Sequence, residues 1–131
     1  MVSRAVREAV LSVAANDAGI RALYLFGSQL SGHARPDSDL DLGVLYRLRE
    51  PLASTLILEE QLERATGMDV SLVDLARANA FLALDIVRGE RIFSRDATDT
   101  DRFELYVLRR AGDLLPFERA RQALLLNAPP P

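Results

Sequence analysis

Two carboxylates separated by one residue, Asp39 and Asp41, open an apolar stretch that follows an earlier apolar run ending in Gly27-Ser28. No other part of the chain constrains its fold and chemistry as tightly. Side chains alternate between faces along a β-strand, so Asp39 and Asp41 share one face while Leu40, Leu42 and Val44 share the other. Such a strand buries one side and presents two acids on its opposite side. Carboxylates held this close repel, and each raises the other's pKa unless a cation lies between them. Hard oxygen donors of this kind suit Mg2+ or Mn2+.

The residues before the acids supply the matching half of a hairpin-like unit. Arg21 to Phe26 reads as a first strand, and Gly32 to Ser38 combines Gly, Pro, Asp and Ser in a turn that reverses the chain. Asp39 to Tyr46 then returns as the second strand. A Gly-Ser pair alone is a common turn. It also suits phosphate, because glycine lets the backbone approach closely while the serine hydroxyl and exposed amides donate hydrogen bonds. His33 reads as a surface loop residue.

The other elements follow from spacing and capping signals. Ser3 is a candidate N-cap for a helix to about Asp17, with Val2, Val6, Val10 and Val13 at helical spacing, which argues against a signal peptide. Pro51 opens a helix whose expected stripe is Leu52, Leu56, Ile57, Leu62 and Ala65, closed by Gly67. Asp69 to Leu75 reads as a third strand, with Asp69 and Ser71 on one face. Asn79 caps a helix to about Arg88, and Glu90 to Ser94 is an edge strand. Asp99 and Asp101 favour the start of a further helix through its dipole. Phe103, Tyr106, Val107 and Arg110 share one side of it. Pro116 should break or kink the pattern before a last helix from Phe117 to Leu126.

Composition narrows the function. With 131 residues, 49% apolar and 27% charged, the chain is expected to form one domain over 1–128, followed by a mobile proline tail at 129–131. A net charge of −3 disfavours direct nucleic-acid binding. The absence of cysteine and the single histidine exclude thiolate and His-cluster zinc sites, and all 16 basic residues are arginine, so no P-loop lysine exists. No apolar run approaches the roughly 18 residues of a membrane span, and a cytoplasmic location is expected.

Gly27-Ser28, ten intervening residues and Asp39-x-Asp41 together resemble the signature of the nucleotidyltransferase superfamily that includes DNA polymerase beta. The wider wording, Phe26-Gly27-Ser28, Gly32 and Arg35-Pro36-Asp37-Ser38-Asp39-Leu40-Asp41-Leu42, is similar to the minimal nucleotidyltransferases, among them the MntA antitoxins encoded beside HEPN toxins. The likeness spans roughly residues 20 to 95. It implies an α/β (α+β) fold, a small mixed sheet with helices packed on one face and the carboxylates at the open face. It also implies Mg2+-dependent transfer of AMP from ATP to a hydroxyl, a tyrosine of a HEPN-family toxin.

By the same resemblance Asp39, Asp41 and Asp69 hold two Mg2+ ions, with Asp69 polarising the attacking hydroxyl, and Gly27, Ser28, Arg35 and Ser38 bind the nucleotide. Asp74 competes with Asp69 for the third acid. It lies five residues further on, so in a regular strand it points to the other face and caps or turns the chain. Gln29 and Ser31 stand where relatives often carry basic residues, which weakens the expected hold on phosphate. Two other functions fit the sequence: a non-catalytic antitoxin that covers its toxin, and a transferase acting on a small hydroxylated molecule. The chain has room only for a catalytic core, so the acceptor site is open or completed by a partner.

Overall fold

The computed structural model describes residues 2–27 and 39–127, and Ser28, Arg35, Ser38 and the proline tail lie outside that range. The elements are α1 (Arg4–Ala15), β1 (Ile20–Phe26), β2 (Leu40–Tyr46), α2 (Leu52–Thr66), β3 (Val70–Asp74), α3 (Ala80–Val87), β4 (Glu90–Ser94) and α4 (Ala97–Asn127). The strands form one sheet in the order β3-β2-β1-β4. β1 runs antiparallel to both β2 and β4, and β2 runs parallel to β3. This is the expected mixed sheet, with α2 as the crossover that a parallel pair requires.

Alternation along the strands sorts the core into two layers. Leu23, Leu25, Leu40, Leu42, Val70 and Leu72 face α1 and α2, where they meet Val10, Ala14, Leu58 and Leu62. Tyr24, Leu45 and the Asp39–Asp41 side of β2 belong to the other face. That face is open only in part, because α3 and the first half of α4 cover it through Ala83, Ile86, Val87 and Val107. Gly43 permits the contact: a Cβ there would lie 2.5 Å from Ile86 Cγ2. The short, strongly apolar α3 therefore sits directly on β2, one turn of the pleat beyond the acids.

Local signals set most of the boundaries. Ser3 Oγ accepts from Val6 N at 3.2 Å and starts α1, while Asn79 Oδ1 accepts from Phe81 N and Leu82 N and starts α3. Gly67, at φ 71°, ends α2 in the left-handed conformation. The phase of α2 differs from the sequence expectation. Of the expected stripe Leu62 is buried, together with Thr55 and Leu58, whereas Leu52, Leu56, Ile57 and Ala65 are exposed. Two glutamates explain the rotation. Glu59 accepts from Leu72 N at 2.9 Å and Glu63 from Val70 N at 3.1 Å, so the helix turns its acids toward the open edge of β3 and satisfies that edge.

The final helix is also different from expectation. α4 runs unbroken through Pro116 to Asn127. A proline removes one helical hydrogen bond and crowds the carbonyl four residues earlier, which here belongs to Gly112, a residue with open space around it. Arginines fasten the helix's beginning to the sheet. Arg21 pairs with Asp99, and Arg91 pairs with Asp101 and Glu104, both at 2.7 Å. No described helix is long and apolar enough to cross a membrane.

Candidate active site

The acids gather at one end of the sheet because of strand direction. β1 ends where β2 begins, and Phe26 pairs with Asp41 in the antiparallel register. The parallel register of β2 and β3 sets Leu40 beside Val70 and Asp41 beside Ser71. One step earlier, Leu40 N donates to the Asp69 carbonyl at 2.8 Å, which brings the Asp69 backbone alongside Asp39. Asp39 and Asp69 are exposed and Asp41 is partly buried. The strand reading holds for Asp41, whereas Asp39 and Asp69 immediately precede β2 and β3 rather than lying inside them.

Gly27 supplies the tightest contact of the site. Its φ is 78°, in the left-handed region, and a Cβ there would collide with Asp41 Oδ2 and stand 3.1 Å from Asp41 Cγ. Only glycine leaves room for the carboxylate against the end of β1. We expect Gly27→Ala to force Asp41 to another rotamer and to strain the turn, destabilising the protein by about 1–3 kcal/mol. Urea denaturation checks it; unchanged stability together with unchanged activity would show that the turn relaxes freely.

Burial first, and the charge of Asp39 second, raise the pKa of Asp41. A cation held between them would relieve both causes. Asp39 and Asp41 thus fit a hard metal by the chemistry of their oxygen donors. Among the described residues no group of three or more His, Asp or Glu side chains is already clustered around a common point. Asp69 is exposed just before the neighbouring strand. Asp74 behaves as its odd spacing predicts. It is buried, its Oδ1 accepts from Ala76 N at 3.0 Å, and it turns the chain out of β3.

Ser71 is a candidate site residue to which the sequence reading gave no role. It lies directly beside Asp41 in the β2–β3 register and is exposed on the acid-bearing face. The alternation that puts Asp69 and Ser71 on one face was its only signal. Gly27 is thus described at the site, while Ser28, Arg35 and Ser38 lie outside the described residues.

An acid pair on the second strand of a small mixed sheet, facing a glycine turn at the end of the first, is the arrangement of a nucleotidyl-transfer domain. The chain belongs to the family described as Polymerase beta, Nucleotidyltransferase, whose profile matches residues 8–98. It is similar to the protein adenylyltransferase MntA of Thermococcus cleftensis, 34% identical over 53% of this chain and 71% of that protein. It is also similar to the protein adenylyltransferase MntA of Shewanella oneidensis, 28% identical over 81% of this chain and 74% of that one. In fold it matches a chain of the tri-AMPylated Shewanella oneidensis HEPN toxin in complex with MNT antitoxin. There the TM-score is 0.75 at 21% identity, covering 92% of this chain and 96% of that chain.

Proposed function

We propose that the protein is an antitoxin that transfers AMP from ATP to a tyrosine hydroxyl of a HEPN-family toxin, with Asp39, Asp41 and Asp69 as its metal-binding and catalytic acids. The observation that carries the reading is Asp41 packed against Gly27 two residues after Asp39, with the Asp69 carbonyl accepting from Leu40 N just before β3. The similarity to protein adenylyltransferases supports AMP as the group transferred and a protein as the acceptor.

In this reaction the acceptor oxygen bonds to the α-phosphorus as the bond to the bridging oxygen breaks, and pyrophosphate leaves with that electron pair. Bound Mg2+ supplies the positive charge that the triphosphate and departing pyrophosphate need. Asp39 and Asp41 hold the shared side of the site, with Asp41 fixed against Gly27. Asp69, exposed just before β3, polarises the acceptor hydroxyl and takes up its proton. Gly27 and Ser28 bind phosphate, with Arg35 and Ser38 as further nucleotide contacts.

The test is the mass of the partner. Co-expressed with the product of the neighbouring reading frame, which we expect to be a HEPN protein, this chain should leave that product heavier by whole AMP units on a tyrosine. An unmodified HEPN partner would end the transfer reading. ATP binding gives a second check. Two repelling acids oppose a triphosphate unless neutralised. Calorimetry should therefore show at least about tenfold tighter ATP binding with Mg2+ than with EDTA. Equal affinities would remove the metal-bridged site.

A further inference from the structure

The longest helix of the protein does only half its packing at home. Ala111 is the last buried residue of α4, and none of residues 112–126 is buried. Nine of the fourteen exposed large hydrophobic side chains among the described residues belong to this helix, including Tyr106 at 59%, Phe117 at 74% and Leu124 at 74%. An isolated helical extension of this length is marginal in water, so its apolar surface calls for a covering partner.

Four of the nine, Tyr106, Leu114, Phe117 and Leu124, line up with Arg110 at three-, four- and seven-residue steps and so form one stripe, while Leu105, Leu108, Leu115 and Leu126 lie on other faces. At its beginning the stripe enters a groove of about 570 Å³, floored by Leu45, Leu75, Phe103 and Tyr106. Arg21, Arg102 and Arg110 line the same groove. Arg21 is paired with Asp99 and lies over the Phe103 ring at 5.7 Å, whereas Arg102 and Arg110 have no ion pair among the described residues. The floor is far from the acids: Leu45 is four residues along β2 from Asp41, roughly 13 Å.

We propose that this groove and stripe dock an acidic amphipathic helix of the acceptor protein, apolar side inward and glutamates or aspartates against Arg102 and Arg110. The proposal rests on the acceptor being a protein, as argued above. Charge selects this occupant over a second copy of the chain. From Leu105 onward α4 carries Arg109, Arg110 and Arg119 against Asp113, apart from the Glu118–Arg121 pair, and the acids nearer its start, Asp99, Asp101 and Glu104, are already paired with Arg21 and Arg91. Two-fold pairing of this helix with itself would set like charges together, while an acidic helix meets them with complementary charge.

The test uses a labelled three-heptad peptide with leucines on one face and glutamates flanking them, and a twin with lysines in place of the glutamates. Fluorescence anisotropy with the full chain should show the glutamate peptide binding at least about tenfold more tightly than its twin. Phe117→Asp combined with Leu124→Asp should weaken that binding tenfold or more. The double reversal Arg102→Glu and Arg110→Glu should switch the preference to the lysine peptide, a result that misfolding cannot imitate. No preference between the peptides, or a preference unmoved by the reversal, overturns the proposal. So does a dimer in sedimentation that Phe117→Asp dissolves, since a second copy would then be the occupant. Neither ATP nor metal enters the assay, so its failure is separate from any failure of AMP transfer.

Discussion

Asp41→Asn should lower AMP transfer at least about a hundredfold, the size of loss seen when one preorganised group is taken from a transition state. The amide keeps the shape that fits against Gly27 and removes the charge. Labelling of the acceptor with α-32P-ATP measures it, and a wild-type rate would dispose of Asp41 as a catalytic acid. Stability should move the other way. Asp41 holds its proton to higher pH in the folded protein than in the unfolded chain, through burial and the charge of Asp39. Between those two pKa values the folded state binds more protons, so stability falls as pH rises through the window just above the ordinary carboxylate range. Its contribution is fully present only below that range. Without metal and at neutral pH, the variant should therefore melt at or above the wild type, by about 1–4 °C. The gain should vanish in acid, where Asp41 is neutral, and Mg2+ with ATP should stabilise the wild type more than the variant.

The strands and their acid-bearing face were legible because the β period is short and local: Asp39-x-Asp41, then Asp69 and Ser71, declare a face within three residues. Caps were equally legible, since Ser3 and Asn79 bind amides two or three residues away. What failed depends on distant neighbours. The phase of α2 is set by Glu59 and Glu63 reaching the amides of β3, an edge that does not exist until the sheet forms. Leu52, Leu56 and Ile57 carry the same periodicity as a core stripe and give no hint of that competition. The seat of α3 on the acid-bearing face depends on Gly43 lacking a Cβ against Ile86, a pairing forty-three residues apart in sequence. The arginine pairs that fix the start of α4, Arg21 with Asp99 and Arg91 with Asp101 and Glu104, likewise join residues whose identities show charge but not partner. Pro116 is the opposite case. A strong local rule predicted a break, and Gly112 at the crowded carbonyl accompanies a helix that continues.

The same separation of acids from apolar helix lets one set of variants divide catalysis from covering. If cells are protected by transfer, Asp39→Asn, Asp41→Asn and Asp69→Asn should each lose protection from the toxin while still binding it, because none of the three lies near the α4 groove. The toxin purified with each should then carry no AMP. If protection comes from covering alone, all three should protect as well as the wild type, whose own toxin partner should be unmodified. Phe117→Asp with Leu124→Asp supplies the converse: intact acids, weakened docking, and modification restored when the toxin is raised to high concentration. Two exposed or partly exposed like charges, packed beside a glycine that alone makes room for one of them, are costly to keep as scaffolding. Loss of protection without loss of binding is therefore the expected result, and full protection by Asp39→Asn over an unmodified toxin would require the catalytic reading to be abandoned.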